Sequence, residues 1–197
     1  MLRDKFKGCK IILASGSPRR QQFFKDLDID FEIRLKDIEE IYPVELQGVE
    51  ITNYLSELKA NAFDGEIATN ELLVTSDTIV WFNNSAIGKP KDYDDAFAIL
   101  KSLSNETHEV ITSVCFKTIK KTETIFDVTK VTFNRLSDDA IHYYLDNYKP
   151  FDKAGAYGIQ EWIGLVGINR IDGSYTNVVG LPTEKVYLYL SQFDTNM

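Results

Sequence analysis

The segment LASGSPRRQQFF, residues 13–24, combines residue types that could bind a phosphate group. Ser17 is a predicted helix N-cap, and Pro18 suits the first helical position. The N–H groups of a first helical turn point at the preceding loop and favour an anion there. The guanidinium groups of Arg19 and Arg20 match phosphate oxygens in shape and charge. The segment predicts a phosphate site, and a capped helix with two solvated arginines is the competing interpretation.

An acidic residue interrupts the apolar run between residues 72 and 82. Asp77 lies there within Thr-Ser-Asp-Thr. A carboxylate inside a buried strand is costly unless a positive group or a metal meets it. Because such acids are frequent at functional sites, Asp77 is predicted to act as a divalent-metal ligand or as a general base for water. The sequence leaves both roles open.

Three further segments contribute lysines or small residues. Lys89, in Gly-Lys-Pro, is expected on a hairpin that returns towards Asp77. Lys59 lies on the polar face of its predicted helix, where a solvated lysine is the simpler interpretation. Lys153 opens Lys-Ala-Gly-Ala-Tyr-Gly-Ile-Gln, whose small residues permit close backbone approach or a sharp turn. Gln160, at the end of that run, carries the donor and acceptor that can read the edge of a nucleobase.

The elements that must position these residues alternate along the chain. We predict strands at 10–14, 31–35, 72–82, 109–117, 124–133 and 163–171, and helices from 18 and at 52–63, 92–103, 137–147 and 183–193. A bulge is expected near Thr129, where the apolar alternation changes phase. The order favours one α/β domain over residues 1–197, with a central mixed β-sheet flanked by helices.

Composition restricts the class of partner. The chain has 197 residues, 44% of them apolar, and a formal net charge of −8. That charge disfavours non-specific nucleic-acid binding. No secretory signal or membrane-length apolar run is found, so we expect a cytoplasmic protein with no nucleic-acid or membrane partner. Cys9 and Cys115 are predicted to be buried or half-buried thiols, and the isolated His108 and His142 are predicted to be structural.

The ordered set LASGSPRR, ELKA, SDTIV, GKP, DKAGAYGIQ and NVVGLP resembles the Maf-like nucleotide pyrophosphatases from about Lys10 to Leu190. Within that family it is similar to the branch that acts on dTTP and UTP. The branch that acts on 7-methyl-GTP usually has Thr and Trp where this chain has Gly16 and Arg19. The resemblance implies a two-lobed α/β fold around a cleft and a frequently dimeric assembly. It also implies hydrolysis of a nucleoside triphosphate to the monophosphate and pyrophosphate, with a divalent cation such as Mg²⁺, Mn²⁺ or Co²⁺.

The resemblance also assigns roles to individual residues. Asp77 would be the proton acceptor and, with Glu40, would hold the cation; Glu39 is the alternative register for Glu40. Three residues would be tied to substrate choice: Arg19, Thr78 and Gln160. The phosphate and metal region would be lined by Ser15, Arg20, Glu40, Lys59, Lys89 and Lys153. Five cations would converge around one triphosphate and offset its charge: Arg19, Arg20, Lys59, Lys89 and Lys153.

The sequence departs from the family pattern at three positions. Ser76, Ser113 and Glu161 stand where the family more often has Ala, Gly and Gly. One alternative function is a nucleotide-binding regulator of cell division that does not cut its ligand. Another is the same chemistry on a modified or non-standard nucleotide, including a purine nucleotide.

Overall fold

Strands and helices alternate along residues 1–195, the part of the chain that the computed structural model describes. The helices are α1 (Leu2–Lys5), α2 (Pro18–Asp26), α3 (Val49–Asn61), α4 (Tyr93–Leu103), α5 (Asp138–Tyr148), α6 (Trp162–Gly167), α7 (Tyr175–Val179) and α8 (Thr183–Gln192). The strands are β1 (Lys10–Leu13), β2 (Glu32–Ile33), β3 (Glu71–Phe82), β4 (Ser85–Ile87), β5 (Thr107–Lys117), β6 (Thr122–Phe133) and β7 (Ile168–Asp172). A single 3₁₀ turn lies at Ala154–Ala156.

The strands form one mixed sheet, as predicted. Its order is β2-β1-β3-β5-β6-β7, and β4 pairs with β3 off this path. β1 runs parallel to both β2 and β3, whereas β3 with β4 and β6 with β7 are antiparallel. The β3–β4 pair is the hairpin expected before Lys89, and it turns through Asn83 and Asn84, both at positive φ. Asparagine tolerates that backbone conformation better than most residues do.

The described residues form two compact units. Unit 1 comprises residues 1–77, 112–127 and the described residues from 180 onward, and unit 2 comprises 78–111 and 128–179. Strands β3, β5 and β6 each contribute residues to both units. The single domain and the cleft expected from the sequence stay predictions. No helix among residues 1–195 is both long and apolar enough to span a membrane.

Unit 1 buries both faces of β1 and β3. Leu13 and Val74 pack in one apolar cluster with Phe24 of α2 and Leu190 of α8. On the opposite face, Ile12 and Leu73 pack with Ala60 of α3, with Phe63 just beyond the end of α3 and with Cys115. Alternate residues of a strand point to opposite faces, so covering both faces explains why these strands are nearly continuous apolar runs. Both thiols are free and buried, as predicted.

The prediction of a strand at 163–171 is wrong for the first half of that range. Residues 162–167 form α6, and the strand β7 begins only at Ile168. Ile163 and Gly167 are buried while Leu165 is 81% exposed, a spacing of four that fits a helix. A short apolar run does not distinguish a strand from a buried helical turn, and here the helix forms.

The bulge expected near Thr129 stays a prediction, although the burial of β6 does not show the change of phase that suggested it. Phe126, whose position in the alternation suggested the bulge, is 45% exposed rather than buried. Thr129, Val131 and Phe133 are buried in regular alternation. Where β6 pairs with β7, the register shift lies between Thr132 and Phe133.

Candidate active site

The predicted phosphate loop lies between β1 and α2 and is organised by its two serines. The Ser17 hydroxyl caps α2 by accepting from the Arg20 N–H at 3.5 Å, and Pro18 is the first helical residue, as predicted. The buried Ser15 hydroxyl accepts from the Ser17 N–H at 3.3 Å. The loop is therefore held by its own side chains, and the positive end of α2 adjoins it.

Arg20 ties this loop to β3 and to the segment before α8. Its Nε donates to the Gly180 carbonyl at 2.8 Å, and its Nη1 donates to the Ser76 carbonyl at 2.9 Å. Withdrawal from water lowers the pKa of Arg20, an effect that the charge of Asp77 partly offsets. Two directed bonds to carbonyl oxygens from one guanidinium fix its plane, which a lysine could not reproduce. Arg20 is thus held in place within unit 1, and the neighbouring Arg19 is half-buried.

The carboxylate of Asp77 lies on the α3 face of β3. Odd-numbered residues of β3 share this face: Thr75 Oγ1 donates to the Ser56 carbonyl of α3 at 2.6 Å. Asp77 comes two residues later, and its Oδ1 accepts from Lys59 Nζ at 2.6 Å. Side-chain exposure is only 8% for Asp77 and 16% for Lys59. The positive group that a buried acid requires is therefore Lys59, and the solvated-lysine interpretation is wrong.

Glu40 joins the same cluster from the loop between β2 and α3. Its Oε1 lies 2.8 Å from Lys59 Nζ, so one ammonium group bridges two carboxylates. Of the two registers that the sequence left open, this contact favours Glu40 over Glu39. The side chain of Glu40 is half exposed, which leaves it accessible to a ligand.

This donor set fits a divalent cation that is bound together with a substrate. Asp77 and Glu40 supply hard carboxylate oxygens around one position that a cation, the Lys59 ammonium, already occupies. Mg²⁺ is commonly held by one or two carboxylates plus phosphate oxygens and water. Among residues 1–195 no group of three or more His, Cys, Asp or Glu side chains is arranged for a metal. The two carboxylates alone would therefore leave most of the coordination shell to phosphate and water.

The remaining predicted residues belong to unit 2: Thr78, Lys89, Lys153 and Gln160. Two of the segments that carry them meet directly, because the Gly155 N–H donates to the Gly88 carbonyl at 3.1 Å. Gly155 has φ +71°, and a Cβ there would lie 2.6 Å from Val80 Cγ2. Only glycine fits this turn. The backbone next to Lys89 and the backbone next to Lys153 are thus joined, while Gln160 is exposed.

Lys153 is enclosed by two acids. Its Nζ lies 2.8 Å from Asp152 Oδ1 and 3.1 Å from Glu161 Oε1, and only 11% of its side chain is exposed. The other oxygen of Glu161, Oε2, accepts from the buried Tyr144 hydroxyl. In the sequence, Glu161 is marked only by its departure from the family pattern. Tyr144 could not be found there, because one tyrosine among ten carries no local signal.

The structure thus groups Ser15, Arg20, Glu40, Lys59 and Asp77 in unit 1 and joins the Lys89 and Lys153 segments in unit 2. Convergence of all five cations on one triphosphate stays a prediction.

The mixed sheet flanked by helices places the chain among α/β proteins. The family follows from residues 10–193, which match the family model described as Maf-like protein. The chain belongs to the Maf-like family.

The similarity to individual relatives covers nearly the whole chain. A Flavobacterium psychrophilum protein named dTTP/UTP pyrophosphatase is 76% identical over 96% of this chain and 97% of its own length. A Christiangramia forsetii protein of the same name is 50% identical, with 98% of each chain covered. Among solved structures, a dITP/XTP pyrophosphatase from Mycobacterium abscessus aligns over 90% of each chain at 13% identity, with a TM-score of 0.40. That score is too low to support any conclusion about this chain.

Proposed function

We propose that this chain is a nucleoside triphosphate pyrophosphatase that hydrolyses dTTP and UTP to the monophosphate and pyrophosphate. Family membership and the names of close relatives support the substrate class. The observation that carries the chemistry is the nearly buried Asp77 carboxylate, held by Lys59 beside the Arg20 guanidinium. A protein that only binds nucleotides has no need of a sequestered acid next to its phosphate-binding cations.

Asp77 is the group that accepts the proton of the attacking water. The water oxygen forms a bond to the α-phosphorus, the bond from that phosphorus to the bridging oxygen breaks, and pyrophosphate leaves with the bonding electrons. Lys59 holds one carboxylate oxygen of Asp77 in place, which leaves the other oxygen for the proton. Preorganised cations stabilise the charge that builds on the leaving group.

Asp77 and Glu40 are the residues that would hold a divalent cation, since both present oxygens to the Lys59 ammonium. Such a cation, when bound, polarises the α-phosphate and lowers the pKa of a water molecule. Lys59 would then exchange part of its contact with the carboxylates for contact with phosphate.

The phosphate-binding residues of the proposal are Ser15, Arg20, Lys59, Lys89 and Lys153, and Arg19, Thr78 and Gln160 select the substrate. For the residues of unit 2, the assignment rests on the order of the family motifs and on side-chain chemistry. The predicted cytoplasmic location and homodimer remain predictions.

The test compares pyrophosphate release by the wild type and Asp77→Asn from a panel of standard and modified nucleoside triphosphates, with Mg²⁺ or Mn²⁺ and with chelator. The amide keeps the size of the carboxylate but is not a base, so turnover of dTTP and UTP should fall by about two orders of magnitude or more. Asp127→Asn is the matched control. Asp127 is also a poorly exposed acid of unit 1, bonded to Lys185 at 2.7 Å, and its variant should keep turnover within about twofold of the wild type.

Each alternative has its own outcome. Unchanged turnover in Asp77→Asn would overturn the role of Asp77. Tight nucleotide binding without pyrophosphate release by the wild type would favour the regulator. Faster turnover of a modified or purine nucleotide than of dTTP and UTP would replace the substrate and keep the chemistry.

A further inference from the structure

Four groups of unit 2 form a directed chain that ends on Lys153. The Gly158 N–H donates to the Tyr144 hydroxyl oxygen at 3.0 Å. The Tyr144 hydroxyl donates in turn to Glu161 Oε2. The second oxygen of the same carboxylate, Oε1, lies 3.1 Å from Lys153 Nζ. The contacts therefore run without a break from a backbone N–H to the ammonium group, which also lies 2.8 Å from Asp152 Oδ1.

The first groups of this hydrogen-bond chain, Gly158 and Tyr144, have little room to move. Tyr144 is fully buried on α5, and burial together with the bond to Glu161 raises the pKa of its hydroxyl, which keeps it a donor. A Cβ at Gly158 would lie 2.8 Å from Glu161 Cδ. The Glu161 carboxylate thus occupies the space where any other residue at position 158 would place its side chain.

The last group of this hydrogen-bond chain is Lys153, whose side chain has little conformational freedom. Lys153 lies between Glu161, whose side chain is 21% exposed, and Asp152, which is exposed. A flexible lysine normally loses considerable side-chain entropy when it is fixed by a ligand. Here that entropy is lost on folding, before any ligand arrives.

We propose that Glu161 and Tyr144 are positioning residues for Lys153, which they hold in the orientation used against the substrate phosphates. This inference rests on the proposed function, because it requires Lys153 to contact the triphosphate.

The kinetic test uses Glu161→Gln and Tyr144→Phe. Glutamine still offers an oxygen to the Tyr144 hydroxyl but loses the charge that holds the ammonium. Because the orientation of Lys153 matters most in the transition state, kcat for dTTP should fall about tenfold in Glu161→Gln and less in Tyr144→Phe, with KM changed by less than about twofold.

A double-variant cycle separates positioning from general damage. If Glu161 acts through Lys153, adding Glu161→Gln to Lys153→Met should lower kcat no further. Equal loss in both backgrounds would indicate a merely structural role and would overturn the inference.

The protein contains a matched control for these variants. Glu123 makes the same pair of contacts in unit 1: Tyr189 donates to its Oε2 at 2.6 Å, and Lys121 Nζ lies 2.8 Å from its Oε1. None of these residues belongs to the proposed site. Glu123→Gln and Tyr189→Phe should therefore leave kcat within about twofold of the wild type.

A measurement without substrate keeps the inference distinct from the proposed function. In protein whose lysines carry ¹³C-methyl labels, the Lys153 signal, assigned by its loss in Lys153→Met, should shift and lose its restricted-motion signature in Glu161→Gln. A second outcome concerns Lys153 itself. If the Lys153 signal shifts in Glu161→Gln but Lys153→Met has the kcat of the wild type, the role of Lys153 in the proposed function is overturned. That outcome would also remove the catalytic part of this inference. An unmoved Lys153 signal would overturn the positioning itself.

Discussion

Lys59 Nζ and Asp77 Oδ1 are in contact at 2.6 Å, although 18 positions separate the two residues in sequence. The contact crosses from α3 to β3 and joins two side chains that are mostly withdrawn from water. Removing one partner of such a pair leaves the other charge buried and unsatisfied, which is more costly than the pair itself is stabilising.

Lys59→Met should therefore destabilise the protein as well as slow its turnover of dTTP and UTP. With Glu40 half exposed and Asp77 nearly buried, we expect the free energy of unfolding to fall by about 3 kcal/mol. Urea denaturation followed by circular dichroism measures it. Lys59→Met/Asp77→Asn should recover at least about 1 kcal/mol of that loss, because no uncompensated buried charge remains at position 77. A single variant as stable as the wild type would contradict this energetic role.

Two neighbouring hydroxyls on β3 should respond in opposite ways to removal. The buried Ser76 Oγ has no hydrogen-bond partner among residues 1–195, whereas Thr75 Oγ1 donates to the Ser56 carbonyl at 2.6 Å. An unsatisfied buried hydroxyl costs free energy, so Ser76→Ala should leave stability unchanged or raise it by about 1 kcal/mol. Thr75→Val, which keeps the shape, should lower it by about 1 kcal/mol. The denaturation midpoints of the two variants check the prediction; a loss in Ser76→Ala equal to that in Thr75→Val would contradict it.

His108 should make the protein less stable in mild acid. Its buried ring lies 2.8 Å from the Tyr157 hydroxyl through Nε2, and burial lowers the pKa of His108 from 6.5 to about 4. Between these two values the unfolded chain binds a proton that the folded chain does not, so stability rises with pH there. The contribution is complete above pH 6.5 and is lost as the pH falls towards 4.

The expected loss from this histidine is about 3 kcal/mol at pH 4 relative to pH 7. His108→Gln keeps a polar group for the Tyr157 hydroxyl but does not titrate in this range. Urea unfolding of both proteins from pH 7 to pH 4 should therefore show a steeper loss for the wild type. Parallel curves would contradict a shifted His108.

Local patterns in the sequence predicted most of the elements. Ser17 was predicted to cap α2, and Asp92 and Ser137 begin the helices predicted at 92–103 and 137–147. All three side chains cap their helices by accepting a backbone hydrogen bond from the first turn. Capping and apolar periodicity act within a few residues, so they can be read from a single chain. The run at 162–167 shows the limit, because its length suits a strand and a helical turn equally.

The chemical groups of the site can be read from the amino-acid sequence: a serine loop with two arginines, an acid inside an apolar strand, and scattered lysines in an acidic chain. Which of these groups meet depends on tertiary packing. Arg20 reaches the carbonyl of Gly180, 160 positions away, and Lys59 turns from an expected solvent face to Asp77. Glu161 and Tyr144 come together with Lys153 although no motif links all three. Such pairings depend on how helices pack on the sheet, and the side-chain directions set by that packing are not encoded in any short stretch of sequence.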